Sequence, residues 1–131
     1  MAEPPRRAVI HLPPGGGRRY AMGRLTAWFK ADGEETGSGC SASEWLLEPG
    51  QPGVGAHHHA ANDEIFLVLE GRVEFLLGDA WTPCEPGAFL RIPAGVVHDF
   101  RDSGPAAARF FSMVPGDGFE HDMPTIVDWF S

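Results

Sequence analysis

Four side chains that can bind a transition metal lie in two nearby stretches of this sequence. His57 and His59 are two residues apart, and side chains alternate faces along a β-strand, so both would point the same way in a strand. Residues 60–63 suit a hairpin loop, after which a second strand would bring Glu64 back opposite the two histidines. His98, in the second stretch, adds a fourth potential ligand. Neutral imidazoles together with one carboxylate suit a divalent Fe, Mn, Ni, Cu or Zn ion.

The spacing within these stretches resembles the two sequence motifs of the cupin superfamily. The residues that carry the resemblance are His57, His59, Glu64 and Gly71 in the first motif, and Gly87, Pro93, Gly95 and His98 in the second. Fifteen residues separate Gly71 from Gly87, and the resemblance covers about residues 43–113. It implies an all-β fold, the double-stranded β-helix or jelly-roll barrel, with which a short C-terminal helix is compatible. It also implies one divalent transition metal ion, with Fe favoured, bound by His57, His59, Glu64 and His98.

Two positions depart from these motifs. The first motif usually begins with a glycine six residues before its first histidine, where this chain has Gln51; Gly50 and Gly53 flank that position, so we expect a re-spaced turn. The second motif usually ends in an asparagine four residues after its histidine, where this chain has Asp102. Asp and Asn can both accept a hydrogen bond from their own downstream backbone. We therefore predict that Asp102 supports a turn and does not bind the metal.

The residues that strand alternation places on the same face as Glu64 or His98 are apolar. They are Phe66, Val68, Val96 and Phe100. A few polar groups within an apolar cavity are typical of a site for a small molecule. We therefore predict that these four residues bind a small, largely apolar substrate.

Three functions are compatible with this resemblance. The first is an oxygenase similar to the small quercetinase-like dioxygenases, which would act on an apolar enol or phenol with Glu64 as a catalytic base. The second is a metal-dependent isomerase, lyase or polyketide cyclase, in which the ion polarises a carbonyl and a base moves a proton. The third is a non-catalytic protein that binds a metabolite. Few further acid–base groups accompany the motifs, which favours oxygen chemistry centred on the metal.

Composition limits the partners and the location that we expect. The net charge of −8 argues against nucleic acid and anionic membranes as partners. The chain has no apolar run of about 18 residues, and its first residues lack the apolar stretch of a signal peptide, so we expect a cytoplasmic protein. Cys40 and Cys84 are too few for a disulfide framework, and we expect both to be reduced.

Frequent Gly and Pro between short apolar runs are typical of many short strands joined by tight turns. We predict an N-terminal arm over residues 1–19, a barrel over 20–116, and a tail over 117–131 that can form a short helix packed on the barrel. The predicted strands are 20–30, 43–47, 54–60, Glu64–Glu70, 72–77, 80–83, Phe89–Ile92, 97–101 and 107–114, with a further apolar run over 8–12. Gly71 is predicted to turn the strand at 72–77 back onto Glu64–Glu70 as a hairpin.

Residues 65–69 are apolar on both faces of their predicted strand. A strand of this kind needs cover on both sides, from the core on one side and from a second sheet or a neighbouring subunit on the other. We therefore expect a homodimer in which this outer face is covered.

Overall fold

Strands in which buried and more exposed side chains alternate make up most of this protein. The computed structural model describes residues 9–37, 39–55, 62–116, 120 and 123–129. Within these ranges the elements are β1 (Arg18–Met22), β2 (Leu25–Ala31), β3 (Cys40–Leu47), β4 (Glu64–Glu70), β5 (Val73–Leu77), β6 (Ala80–Cys84), β7 (Phe89–Ile92), β8 (His98–Arg101), β9 (Ala108–Pro115) and α1 (Met123–Trp129). The prediction of an all-β fold with a short C-terminal helix is confirmed.

The described strands form two antiparallel sheets whose inner faces pack together. One sheet has the order β1-β2-β3-β9-β4-β7 and the other the order β6-β5-β8. The ring centroid of Phe75, in the smaller sheet, lies 4.9 Å from that of Phe66 and 5.7 Å from that of Phe110, both in the larger sheet. Phe100, also in the smaller sheet, lies 4.9 Å from Phe110. These rings form the centre of a double-sheet barrel, in the edge-on and tilted arrangements that aromatic side chains prefer.

Most of the predicted strands are confirmed, with ends shifted by at most a few residues. The region 20–30, predicted as one strand region, contains parts of two strands that pair as a hairpin around Gly23. Gly23 has a φ of 65°, a conformation that residues with a side chain rarely adopt. Of the predicted strand 54–60, residues 54 and 55 lie outside any strand, and the remainder is outside the described residues.

The predicted hairpin between β4 and β5 is wrong. β4 pairs with β7 and β9, whereas β5 pairs with β6 and β8, so the chain passes from one sheet to the other at Gly71. Gly71 has a φ of 69°, and a Cβ atom on it would lie 2.4 Å from the backbone oxygen of Ala107. The tight hairpin forms one turn later, where Gly78 and Asp79 join β5 to β6, between the predicted strands 72–77 and 80–83.

The C-terminal helix packs on the barrel. Pro124 lies in the first turn of this helix. Backbone N–H groups in a first turn have no intrahelical acceptor, so the N–H that proline lacks costs no hydrogen bond. Met123 is fully buried, and Ile126 and Val127 pack against the core while remaining partly exposed. No helix in the described part of the chain has the length and apolar character needed to cross a membrane.

The described N-terminal residues join the barrel at β1 and just before it, where the side chain of Lys30 in β2 donates to the backbone oxygen of Gly16. Residues 9–12 form no strand, and Val9 is 90% exposed. β1 begins at Arg18, inside the predicted arm, and this residue and Tyr20 both donate hydrogen bonds to Glu120, at 2.7–2.9 Å and 2.7 Å. These bonds connect the first strand to the segment that precedes α1.

Candidate metal centre

Two of the four predicted metal ligands meet inside the barrel. Glu64 is the first residue of β4 and His98 the first residue of β8, so the two side chains come from different sheets. They are 7% and 1% exposed, and Oε1 of Glu64 lies 2.9 Å from Nε2 of His98. Strand alternation explains this arrangement, because it places Glu64 on the same inner face as the buried Phe66 and Val68.

The other two predicted ligands, His57 and His59, lie outside the described residues. Within the described ranges, no group of three or more His, Cys, Asp and Glu side chains is arranged to hold a metal ion. The structure therefore brings together Glu64 and His98, and the contribution of the two preceding histidines stays a prediction from their spacing.

The ring of His98 is oriented by a hydrogen bond on each nitrogen. Nδ1 lies 2.9 Å from the carbonyl oxygen of Val96, which can only accept, so Nδ1–H is the donor. Burial lowers the pKa of His98, but the hydrogen bond to Glu64 and then the carbonyl of Val96 raise it, and the net shift is upward. Nε2 and the Glu64 carboxylate thus face each other, and positive charge is favoured between them. The donor set fits a divalent ion, which would replace the proton that Nε2 donates to Glu64 while Nδ1–H keeps its bond to Val96.

Sequence reasoning missed Ser112, which contacts the same carboxylate. Ser112 lies on β9, is 3% exposed, and its hydroxyl oxygen lies 3.1 Å from Oε2 of Glu64. The alternation of β9 gave a signal, because it places this serine on the inner face between the buried Phe110 and Val114. A hydroxyl at a buried position needs a polar partner, and the carboxylate of Glu64 is that partner.

Three of the four residues predicted to bind substrate lie inside the barrel. Phe66, Val68 and Phe100 are between 1% and 7% exposed, and the ring of Phe66 lies 6.2 Å from the ring of His98. Val96 is 37% exposed and precedes β8, so strand alternation does not determine the direction of its side chain. Phe66 thus provides an apolar neighbour to His98, and the contact of the three buried residues with a substrate stays a prediction.

The two departures from the motifs have structural counterparts. Gly50 has a φ of 80° and forms the turn one residue before Gln51, so the turn is re-spaced as predicted. The buried Gln51 accepts a hydrogen bond at its backbone oxygen from the N–H of Asp102, at 2.9 Å. Oδ1 of Asp102 accepts from the N–H of Gly104 at 2.9 Å, which confirms that this side chain supports its own downstream turn.

A comparison with known proteins finds relatives in sequence. The profile of the cupin domain family matches residues 43–114. Quercetin 2,3-dioxygenase from Bacillus subtilis (strain 168) is 35% identical over 92 residues, which make up 69% of this chain and 26% of that protein. The chain thus spans about a quarter of the length of this curated relative.

Solved structures with the same architecture are also found. The polyketide cyclase RemF from Streptomyces resistomycificus has a TM-score of 0.70 at 20% identity, over 80% of this chain and 78% of that one. A sugar phosphate isomerase of the cupin superfamily from Silicibacter pomeroyi has a TM-score of 0.68 at 22% identity, over 80% and 74% of the two chains. At these identities the likeness shows the fold alone. Because the cupin domain profile matches more than half of the chain, which folds as a double-stranded β-helix, the protein belongs to the cupin superfamily.

Proposed function

We propose that this protein is a metal-dependent cupin enzyme that binds one divalent transition metal ion through His57, His59, Glu64 and His98. The observation that carries the proposal is the buried pair of Glu64 and His98, whose Oε1 and Nε2 atoms lie 2.9 Å apart within the barrel. Buried charged groups are normally paired or bound to metals. The spacing of the histidine pair in the sequence supports the remaining two ligands.

The described residues around this pair have separate roles in the proposed chemistry. The bound ion would supply a Lewis acid and, with Fe or Mn, a redox centre. Ser112 holds Oε2 of Glu64, which fixes the plane of the carboxylate. Glu64 is the proposed base, taking the hydroxyl proton of a bound enol or phenol at its carboxylate. Phe66 and Phe100 exclude water from this position and provide apolar contact for the substrate.

The reaction class that we favour is a dioxygenase acting on a small apolar enol or phenol. Its first support is the 35% identity to quercetin 2,3-dioxygenase. Its second support comes from the hydrogen bonds that the other buried carboxylates in the described residues accept. Asp99 and Asp102 accept hydrogen bonds from backbone N–H groups, and Glu120 accepts from Arg18 and Tyr20. An isomerase or cyclase would need a base that is free to move protons. Both carboxylate oxygens of Asp99 and both of Glu120 are already hydrogen-bonded, whereas Asp102 has one oxygen bonded, to the turn that it supports.

Oxygen uptake on protein of known metal content tests this proposal. Wild-type protein loaded with Fe should consume oxygen with a member of a panel of flavonols, phenols and β-diketones, and His98→Ala should abolish this uptake. His11→Ala, which changes an exposed histidine in the N-terminal segment, is the control and should retain it. Chemical change of a substrate without oxygen uptake would favour the isomerase or cyclase class. Compounds that bind and are recovered unchanged with every metal would indicate a metabolite-binding protein.

Two further proposals come from the sequence and concern partners. The substrate is a small molecule, with no role for nucleic acid or a membrane, in line with the net charge of −8. The protein is proposed to form a homodimer through the outer face of β4. A cytoplasmic location stays a prediction from the sequence.

A further inference from the structure

We infer that Asp99 is a positioning residue for the predicted histidine ligands His57 and His59, an inference that rests on the metal site proposed above. Asp99 follows His98 directly in β8 and is 5% exposed. Adjacent residues of a strand point to opposite faces. One face of β8 therefore carries a predicted ligand, and the other carries a carboxylate directed at the segment that leads to the histidines.

The carboxylate of Asp99 accepts hydrogen bonds from three backbone N–H groups. Oδ1 lies 2.9 Å from the nitrogen of Val54 and 2.8 Å from that of Phe100, and Oδ2 lies 3.2 Å from the nitrogen of Gly55. Hydrogen bonds to an ionised acceptor are shorter and stronger than neutral ones. Two of these bonds attach Val54 and Gly55 to the strand that contains His98.

This attachment acts close to the predicted ligands along the chain. Gly55 is two residues before His57. Consecutive Cα atoms are about 3.8 Å apart, so a separation of two residues in a chain spans at most about 8 Å. Fixing the backbone of Gly55 relative to His98 therefore restricts the space that the first histidine can reach.

Gly53 makes room for the Asp99 carboxylate. A Cβ atom at position 53 would lie 2.5 Å from Oδ2 of Asp99 and 3.4 Å from the ring of Trp81. The N–H of Asp102 also donates to the backbone oxygen of Gln51, at 2.9 Å. The segment 51–55 is thus held at one end by Asp99 of β8 and at the other by Asp102, which directly follows β8. A side chain at position 53 would displace the carboxylate that holds the first of these ends.

The chain is also fixed at Asn62 and Asp63, on the far side of the two histidines in the sequence. Nδ2 of Asn62 donates to the backbone oxygen of Pro115 at 2.9 Å. Asp63 accepts from the guanidinium of Arg91 at 2.7 and 3.0 Å and from the N–H of Ala94 at 3.1 Å. The histidine pair therefore lies between two anchored segments, and Asp99 is the buried anchor on the side nearer to His57.

The test is the affinity of the purified apoprotein for Co²⁺, measured by competition with a chromophoric chelator. Asp99→Ala should weaken binding by about 10- to 100-fold, the range typical for groups that orient metal ligands from outside the coordination sphere. Asp79→Ala, the same substitution in the exposed turn between β5 and β6, should leave affinity within twofold of wild type. The visible spectrum of bound Co²⁺ should change in the first variant and not in the second.

A double-mutant cycle isolates the contact between Gly53 and Asp99. Gly53→Ala should weaken Co²⁺ binding in the wild-type background, because the new Cβ displaces the carboxylate. In the Asp99→Ala background the same substitution should have little further effect. Asp99→Asn, which keeps the size of the side chain, covers the case in which Asp99→Ala does not fold, and it should also weaken Co²⁺ binding.

The possible outcomes separate the two proposals. If wild type binds Co²⁺ and folded Asp99 variants bind it equally well with an unchanged spectrum, the positioning role is wrong while the metal site stands. Lower thermal stability of the apoprotein with unchanged Co²⁺ affinity would likewise overturn it, since Asp99 would then stabilise only the fold. If wild type itself binds no divalent metal, both the metal site and the role of Asp99 are wrong.

Discussion

Asp102 is buried with only one of its two carboxylate oxygens hydrogen-bonded. Its side chain is 1% exposed, Oδ1 accepts from Gly104, and Oδ2 is buried without a hydrogen-bond partner in the described structure. Burial raises the pKa of Asp102, the Gly104 bond opposes that rise, and the charge of Glu74 adds to it; the net shift is upward. The ionised carboxylate is therefore less favourable here than in the unfolded chain.

Asp102→Asn should retain the metal and should gain stability relative to wild type as the pH rises. Because the pKa of Asp102 is higher in the folded state, its contribution to stability is complete below the pKa of the unfolded chain. That contribution is lost as the pH rises through the folded-state pKa. Asn does not titrate, so the difference in free energy of unfolding between variant and wild type should increase from pH 4 to pH 7.5. Urea denaturation at both pH values measures it, and an unchanged difference would contradict the proposed environment of Asp102.

The sequence predicts the position of single residues well where alternation decides it. The inward direction of Phe66 and Phe100 follows from period-two spacing within β4 and β8. Val96 escapes this rule, because it lies in a turn where no strand fixes its direction. The bond from Ser112 to Glu64 could not be predicted, because it depends on β9 lying beside β4, a pairing between residues 48 positions apart.

At the scale of elements, Gly71 shows that the local sequence pattern does not determine which strands pair with each other. Two apolar strands separated by Gly and one polar residue are typical of a hairpin, and the sequence pattern therefore predicts one here. The partners of β4 are instead β7 and β9, which come later in the chain. Since β4 is paired on both edges, β5 cannot join it and continues into the other sheet. Pairing over such distances is decided by the packing of the whole barrel.

Gly71→Ala should destabilise the protein more than Gly78→Ala. The two glycines have nearly the same φ, 69° and 72°, so both substitutions carry the penalty of a left-handed conformation, about 1–2 kcal/mol. A Cβ at position 71 would also lie 2.4 Å from the oxygen of Ala107 and 2.9 Å from the Cα of Ala108, whereas position 78 is open. We expect the crowding at position 71 to add about 1–3 kcal/mol.

Chemical denaturation of the two variants measures the difference between them. Equal losses of stability would show that the chain at Gly71 does not approach the start of β9 as closely as described. Gly78→Ala serves as the matched control because its turn joins β5 to β6 on the surface.

The contact between β1 and the segment before α1 gives a spectroscopic prediction. Tyr20 donates to Glu120 at 2.7 Å, and burial, followed by this hydrogen bond, raises the pKa of Tyr20 to about 12. The chain contains a single tyrosine, so the absorbance of tyrosinate reports on this residue alone. In the folded protein it should ionise near pH 12, and in denaturant near pH 10. A folded-state value near 10 would mean that the C-terminal segment is not bound to β1.

This shift also affects stability at alkaline pH. Because the folded-state pKa of Tyr20 is the higher one, its contribution to stability is present below about pH 10 and is lost as the pH rises toward 12. Tyr20→Phe should lack this loss. The free energy of unfolding, measured by urea denaturation at pH 9 and pH 11, should therefore fall less in the variant than in wild type.

At the scale of the whole molecule, the larger sheet has an outer face that the described chain covers incompletely. Leu67 of β4 lies opposite Phe89 of β7 in the register, and both side chains point away from Glu64 and His98. Phe89 is 62% exposed and Leu69 is 40% exposed. The apolar residues on both faces of β4 predicted this surface from sequence alone, but its extent depends on β7, whose position beside β4 the local pattern does not give.

The last prediction is that this outer face forms the interface of a homodimer, which Phe89→Glu should disrupt. In a twofold dimer both subunits contribute the same residue, so the substitution removes the burial of two Phe side chains. This loss should reduce the free energy of association by roughly 3–6 kcal/mol, which raises the dissociation constant about 10²- to 10⁴-fold. Light scattering at micromolar concentration should give the mass of two chains for wild type and of one chain for the variant. Ala80→Glu, an exposed position on β6 in the other sheet, should remain dimeric. Co²⁺ affinity should be unchanged in Phe89→Glu, because this side chain points away from the proposed metal site. A monomeric wild type, or a Phe89→Glu variant that stays dimeric, would show that this face does not form a dimer interface.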